Sequence, residues 1–386
     1  MENEVRLGII GLGNMGQFYA RAILDGEVPG LKLTAVCDMD KDRVSAFEGV
    51  QPFTDTDELL KSGVVDAVHI ATPHYFHTTL GIAALEAGLH VLVDKPVSVH
   101  KADCERLNAA HTNKDLVFCG MFNQRTDPHY LKLKSLIDKG ELGEIQRIQW
   151  TVTDWFRTEA YYGSGAWRAT WKGEGGGVLL NQCPHQLDLW QWLFGMPAEI
   201  YSQCDLGRFH DIEVEDAVTA LMRYDNGTTG VFISTTGESP GVNRLEIACE
   251  RGLVVFENNE IQWTRNEVES STFSQESDQG FAKPDSWNVE IPVDGNGEQH
   301  MGVFKNFTQA ILKGEDLFCP AEEGIHSVEL ANAILYSGLK HEPIKLPLDS
   351  AEYEACLNKL IEESTHVKKV VESKVETNMS ASFQKK

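Results

Sequence analysis

Val5-Arg6-Leu7-Gly8-Ile9-Ile10-Gly11-Leu12-Gly13-Asn14-Met15-Gly16 carries a strand-length, mostly apolar run straight into a glycine-patterned turn. Gly11, Gly13 and Gly16 fall at the spacing G-x-G-x-x-G, between that run and a helical pattern, which is the context that gives the motif its meaning. The first glycine permits a tight turn, the second lets a pyrophosphate approach the backbone, and the third lets helix and strand pack closely. Asn14 and Met15 open the helix, whose free N–H groups attract an anion. Asp38 closes a second strand-length run about 20 residues on, where a carboxylate accepts hydrogen bonds from ribose hydroxyls and repels a 2′-phosphate. Arg43, counted with the cofactor-binding residues, is the nearest cation but falls further along the next helical pattern, so NAD(H) is expected over NADP(H).

Around this stretch, apolar runs at 6–10, 33–37, 67–71, 90–93 and 117–122 alternate with helical patterns near 14–25, 41–48, 56–61, 78–88 and 99–111. Such alternation predicts a parallel sheet covered by helices, because each crossover passes over the sheet to bring in the next strand. After a helical segment at 128–139 the rhythm changes to strand runs at 145–156, 200–205, 217–224, 229–236, 245–249, 253–257 and 261–264, with Asp225-Asn226-Gly227 and Asn258-Asn259 where hairpins would turn. An antiparallel sheet follows, then helices at 301–313 and 322–340. The expected division is 1–125 for dinucleotide binding, 126–365 for substrate binding and oligomerisation, and 366–386 as a polar, frayed tail.

Composition narrows the function classes. The 386 residues carry 34 Lys+Arg against 58 Asp+Glu, a formal charge of −24, which repels nucleic acid and anionic membrane. No apolar run approaches a membrane span, and no basic segment precedes an apolar one near Met1, so a cytoplasmic protein is expected. The eight cysteines show no C-x-x-C pair and read as free thiols. His74 and His77 form H-x-x-H without a third ligand at suitable spacing, so no metal is expected.

Three further clusters stand in order: Ala71-Thr72-Pro73-His74-Tyr75-Phe76-His77, Asp94-Lys95-Pro96, and Gly175 to Asp188, reading GGGVLLNQCPHQLD. With the glycine loop, the set resembles the glucose-fructose oxidoreductase/inositol dehydrogenase/MocA family of NAD(P)-dependent oxidoreductases, over about residues 4–345. Gln124-Arg125, Glu141-Leu142-Gly143-Glu144 and Trp167-Arg168 fit it too. The resemblance implies an α/β chain: a Rossmann domain, then an α+β domain whose large, open, mostly antiparallel sheet often forms the subunit interface of a homodimer or homotetramer. It implies a sugar, inositol or related polyol as substrate, and NAD contacts from Thr72, Pro73, His74, His77, Asp94, Lys95 and Asn123. Lys95 and His185 would stand at the reacting hydroxyl, with Arg125, Trp167, Arg168 and Asn181 lining the substrate side. Asp94 replaces the family's usual glutamate and Asn181 an aspartate found in many members, so Asn181 orients by hydrogen bonding and cannot take a proton.

The chemistry asks for the same residue types. Hydride transfer from a secondary alcohol requires loss of the hydroxyl proton, best to a group with a pKa near neutrality, which describes an unperturbed His185. Lys95 can donate to the developing alkoxide, or titrate if buried. Asp188 reads either as a partner fixing the His185 tautomer or as a solvent-facing carboxylate, and Arg125 either as a cleft residue or as a helix cap. Arg168 with Trp155, Phe156, Tyr161, Tyr162, Trp167 and Trp171 reads either as a sugar-stacking wall or as core aromatics. Three functions remain open: a sugar or cyclitol dehydrogenase, a glycosidase using NAD for transient oxidation, and a non-catalytic dinucleotide sensor.

Overall fold

The structure, a computed structural model, describes residues 4–370. Six parallel strands, β1 (Val5–Ile10), β2 (Leu31–Cys37), β3 (Gln51–Phe53), β4 (Ala67–Ile70), β5 (His90–Val93) and β6 (Phe118–Gly120), lie in the order β3-β2-β1-β4-β5-β6. That is the Rossmann order, with its reversal between β1 and β4. Backbone bonds from Gly11 to Cys37, Ala71 to Ile10, Asp94 to Ile70 and Met121 to Val93 hold the carboxyl ends in line. The motif-bearing loops therefore leave the sheet from one edge. Strand β3 was not anticipated: it is three residues long and contains Pro52, which an edge position tolerates.

The second sheet has nine strands: β7 (Ile145–Val152), β8 (Glu199–Leu206), β9 (Glu215–Arg223), β10 (Thr229–Thr235), β11 (Asn243–Cys249), β12 (Gly252–Glu257), β13 (Glu260–Asn266), β14 (Ser286–Ile291) and β15 (Ile344–Lys345). Their order is β14-β13-β12-β11-β7-β10-β9-β8-β15, antiparallel throughout except for the parallel pair β7/β10. Alternation is plain in β9, where Val218, Ala220 and Met222 are buried while Thr219, Leu221 and Arg223 are exposed. Helices Pro128–Asp138, Pro184–Phe194 and Gly324–Lys340 belong to the buried side. The run expected at 145–156 leaves the sheet at Val152, and 153–177 becomes a wall of loop interrupted by the short helix Glu159–Tyr162.

Sequence order and spatial order part company at one helix. Gln299–Lys313 sends Val303, Phe304 and Phe307 into the apolar core of the first sheet, with Phe304 against Tyr19 and His69 at ring distances of 5.3 and 5.1 Å. Strands β14 and β15 and the helix Ser350–Glu363 were also not anticipated. Most of the expected frayed tail, residues 371–386, lies outside the described residues. Among the described residues no helix is long and apolar enough to cross a membrane.

Candidate active site

The glycine loop is shaped by what each position can hold. A β-carbon at Gly16 would fall 1.9 Å from the Gly11 carbonyl oxygen, and one at Gly11, where φ is +94°, would fall 2.7 Å from that of Ala71. At Gly13 nothing lies within 4 Å, so this position faces open space at the start of the helix Asn14–Leu24. Asp38 accepts from Leu12 N at 2.7 Å and from Asp40 N at 2.9 Å, which ties its carboxylate to the loop. Arg43, read from the sequence as a cofactor-side residue further along the next helix, comes back towards the loop. The helix Lys41–Ser45 is short, and Arg43 folds back to 3.6 Å from Asp38 and 3.3 Å from Asp40.

Along the same sheet edge, several buried polar atoms have no hydrogen-bond partner among the described residues: Thr72 Oγ1, His74 Nδ1 and Asn123 Oδ1. Buried polar groups are ordinarily satisfied, so orphans gathered at one edge mark where a polar ligand fits. Asn123 is oriented by donating to Gln299 at 2.8 Å. His77 faces Thr72 O and Pro96 O, each at 2.7 Å, and so spans the two loops, which makes this ring part of the protein's own framework. An open glycine, a tethered ribose-side carboxylate and this row of orphans fit a dinucleotide.

At the reacting end, Lys95 Nζ donates to the main-chain oxygen of Asn181 at 2.8 Å. Desolvation lowers the lysine's pKa, only partly offset by Asp94 and Glu174. Burial lifts Asp94 to about 6. The Asn181 side chain is fixed by its neighbours: Oδ1 accepts from Tyr161 Oη and Gln182 Nε2, both at 2.9 Å, and Nδ2 donates to Glu174. Glu174 is buried, also accepts from Ala169 N, and lies 3.7 Å from Arg168, which donates to Tyr161 Oη at 2.6 Å. Trp167 lies between Arg168, 4.6 Å from its ring, and His74, 6.0 Å away.

His185 occupies the first turn of Pro184–Phe194, and its Nδ1 is buried without a partner. Desolvation, then the Lys95 cation and His300, drive its pKa well below the ordinary imidazole value. The near-neutral pKa expected from sequence is therefore absent. Among the described residues no carboxylate bonds this imidazole, and Asp188 takes neither expected role. It is buried in a bidentate pair with Arg125, at 2.7 and 2.8 Å. Arg125 in turn neither lines the cleft nor caps a helix: its remaining nitrogen is held by Glu323 at 2.6 Å and Phe318 O at 3.2 Å. Lys95, His185 and Asn181 are thus brought together and Arg125 is not.

Sequence reading missed two residues here. Glu174, the carboxylate bonded to Asn181, stands directly before the Gly175–Gly177 run, a position that could have drawn notice. His300 comes from the distant helix Gln299–Lys313, packs on Tyr19 and Phe18 at ring distances of 5.6 and 6.2 Å, and lies close enough to Lys95 for that charge to depress its pKa, which burial chiefly lowers to about 4. Nothing in its local sequence signals this.

A dinucleotide fold with a lysine, a histidine and an amide meeting beyond its glycine loop defines a class, the two-domain NAD-dependent oxidoreductases. Comparison with known proteins gives the family. Residues 5–121 match the oxidoreductase family with an NAD-binding Rossmann fold, and residues 130–255 match the GFO/IDH/MocA C-terminal domain. Together these span more than half of the chain, which belongs to the GFO/IDH/MocA family. Its relatives include an uncharacterized oxidoreductase, YdgJ, of Escherichia coli (strain K12), 31% identical over 52% of this chain and 56% of the relative. Myo-inositol 2-dehydrogenase of Thermotoga maritima is 24% identical over 89% of this chain and 98% of its own. Levoglucosan dehydrogenase of Pseudarthrobacter phenanthrenivorans is 24% identical over 91% of this chain and 100% of its own. Among solved structures, the WlbA dehydrogenase from Bordetella pertussis, in complex with NADH and UDP-GlcNAcA, superposes with a TM-score of 0.76 at 25% identity, covering 90% of this chain and 100% of that one.

Proposed function

We propose that the protein interconverts a secondary hydroxyl and a keto group on a sugar or cyclitol, with NAD(H) as redox partner. The observation that carries this is the convergence of Lys95, Asn181 and His185 at the carboxyl edge of the Rossmann sheet, beside the open glycine loop. The inositol and levoglucosan dehydrogenases among the relatives support the substrate class.

When bound, the nicotinamide supplies the hydride acceptor; the chain supplies position and protons. Gly11, Gly13, Asn14, Met15 and Gly16 would hold the pyrophosphate, Asp38 the ribose, and Thr72, Pro73, His74, Asp94 and Asn123 the nicotinamide end, with His77 clasping the two loops behind them rather than meeting the cofactor through its ring nitrogens. Lys95, desolvated and aimed by the Asn181 carbonyl, takes the hydroxyl proton in its neutral form. His185, held neutral, hydrogen-bonds the same oxygen through its ring. Asn181 is locked by Tyr161, Gln182 and Glu174 in one amide orientation and directs a second hydroxyl, while Trp167 and Arg168 form the wall on which the ring rests. The exposed outer face of the nine-stranded sheet, with Tyr201 and Leu221 on it, is the surface through which we place a homodimer or homotetramer. The eight unpaired cysteines suit the reducing cytoplasm.

The deciding experiment incubates the protein with NAD+ and a panel of polyols, inositols and glycosides, following NADH absorbance and free sugar together. Accumulating NADH is the expected result. Sugar release without net NADH would instead show redox-assisted glycoside cleavage, and dinucleotide binding with neither would show a sensor.

A further inference from the structure

Three cations gather on the wall that holds Asn181 in place. Arg168 and Arg157 both pack against Tyr161, their guanidinium carbons 4.4 and 5.0 Å from its ring centroid, and Arg157 also lies 5.1 Å over Trp155. Lys368, in the segment following the helix Ser350–Glu363, is partly buried within electrostatic reach of Arg168 and Glu174. That segment is fastened to the surface beside the wall by Ser364 bonding Glu213 and by Lys369 bonding Asp211 at 2.6 Å. The cluster adjoins the reacting end, since Tyr161 bonds Asn181, whose carbonyl receives Lys95.

Glu174 is the carboxylate bonded within the cluster, shared among Ala169 N, Asn181 and Arg168, while Glu159 and Asp211 also act on Lys368 from its outer side. Arg157 and Lys368 enter no ion pair among the described residues, in a chain where acidic residues outnumber basic ones by 58 to 34. The Nε–H groups of both Arg157 and Arg168 are shielded from solvent and lack an acceptor. A guanidinium can only donate, so an acceptor has to come from outside the chain. Its planar fork presents paired N–H groups that match the two oxygens of a carboxylate.

We propose that the sugar or cyclitol accepted by this cleft carries a carboxylate, held by Arg157 and Arg168 with Lys368 adding long-range attraction. This rests on the oxidoreductase reading above and narrows its substrate to acidic sugars and carboxylated cyclitols.

The test is calorimetric titration of the NADH-loaded protein with matched pairs, D-glucuronate against D-glucose and D-galacturonate against D-galactose, with glucose 6-phosphate as a second anion. Each acid should bind about 10- to 100-fold more tightly than its neutral partner, the usual worth of charge-assisted hydrogen bonds. That advantage should shrink as salt is raised. Arg157→Gln should remove most of the acid-to-neutral ratio, and Arg157→Lys, which keeps the charge without the fork, should keep part of it. Equal binding of acid and neutral partners, an undiminished ratio in Arg157→Gln, or preference for the phosphate would overturn the proposal. Turnover with NAD+ separates the two readings. Acid binding without NADH formation from any compound sinks the oxidoreductase and leaves the carboxylate site, whereas oxidation of neutral and acidic partners alike does the reverse.

Discussion

Burial acts on Lys95 and His185 in the same direction, with opposite chemical consequences. A pKa pushed well below the ordinary imidazole value favours the neutral form of His185, which makes it a poor candidate for the group whose ionisation drives the rate upward with pH. The same lowering brings the neutral amine of Lys95 within reach, and a base works only when unprotonated. Alcohol oxidation should therefore rise with pH along one ionisation lying below 10.5, the ordinary lysine value, and Lys95→Met should abolish that limb. His185→Ala should cost on the order of 10² in turnover without moving it. Loss of the limb in the histidine variant would return the proton to His185. These two residues and Asn181 were legible because they sit in ordered motifs. Their environment was not: burial and the absence of a carboxylate at His185 arise only when Asp188 turns to Arg125, a pairing between residues far apart in the chain. Glu174 belongs to the same category, since only folding sets its carboxylate against the Asn181 amide.

The glycine loop separates folding from binding within one turn. Gly16→Ala drives a methyl into the Gly11 carbonyl and should destabilise the protein by about 3 kcal/mol, at the upper end for an overpacked site. Gly13→Ala meets only open space, so its thermal midpoint should be unchanged while NADH affinity falls about tenfold, about 1.4 kcal/mol. Thermal melts and NADH titration of the two variants check this, and equal melting losses would show that Gly13 is a packing residue. The strands flanking this loop were readable because central parallel strands are buried on both faces and appear as continuous apolar runs, as in β1 and β4. Strands β3, β14 and β15 escaped notice because edges need little apolar content. β3 includes a proline, β14 leaves Trp287 half exposed, and β15 has two residues.

The nine-stranded sheet covers one face with helices and leaves Leu221, 52% exposed, and Tyr201, 45% exposed, on the other. If this face joins subunits, Leu221→Lys should shift the protein to monomers in sedimentation velocity while leaving its circular dichroism unchanged. A wild-type protein already monomeric at micromolar concentration would exclude the interface. The helix Gln299–Lys313, which fills the core of the first sheet with Phe304 and Phe307, bears on how the chain is made. A ribosome delivers residues in order, so the six strands of the nucleotide half emerge with an apolar flank uncovered. They wait through synthesis of nearly the whole second sheet before this packing partner leaves the exit tunnel, and Cys319, Ala321 and Val328 complete the same core later still. Nascent chains halted before residue 299 should therefore expose an apolar surface that chaperones would shield.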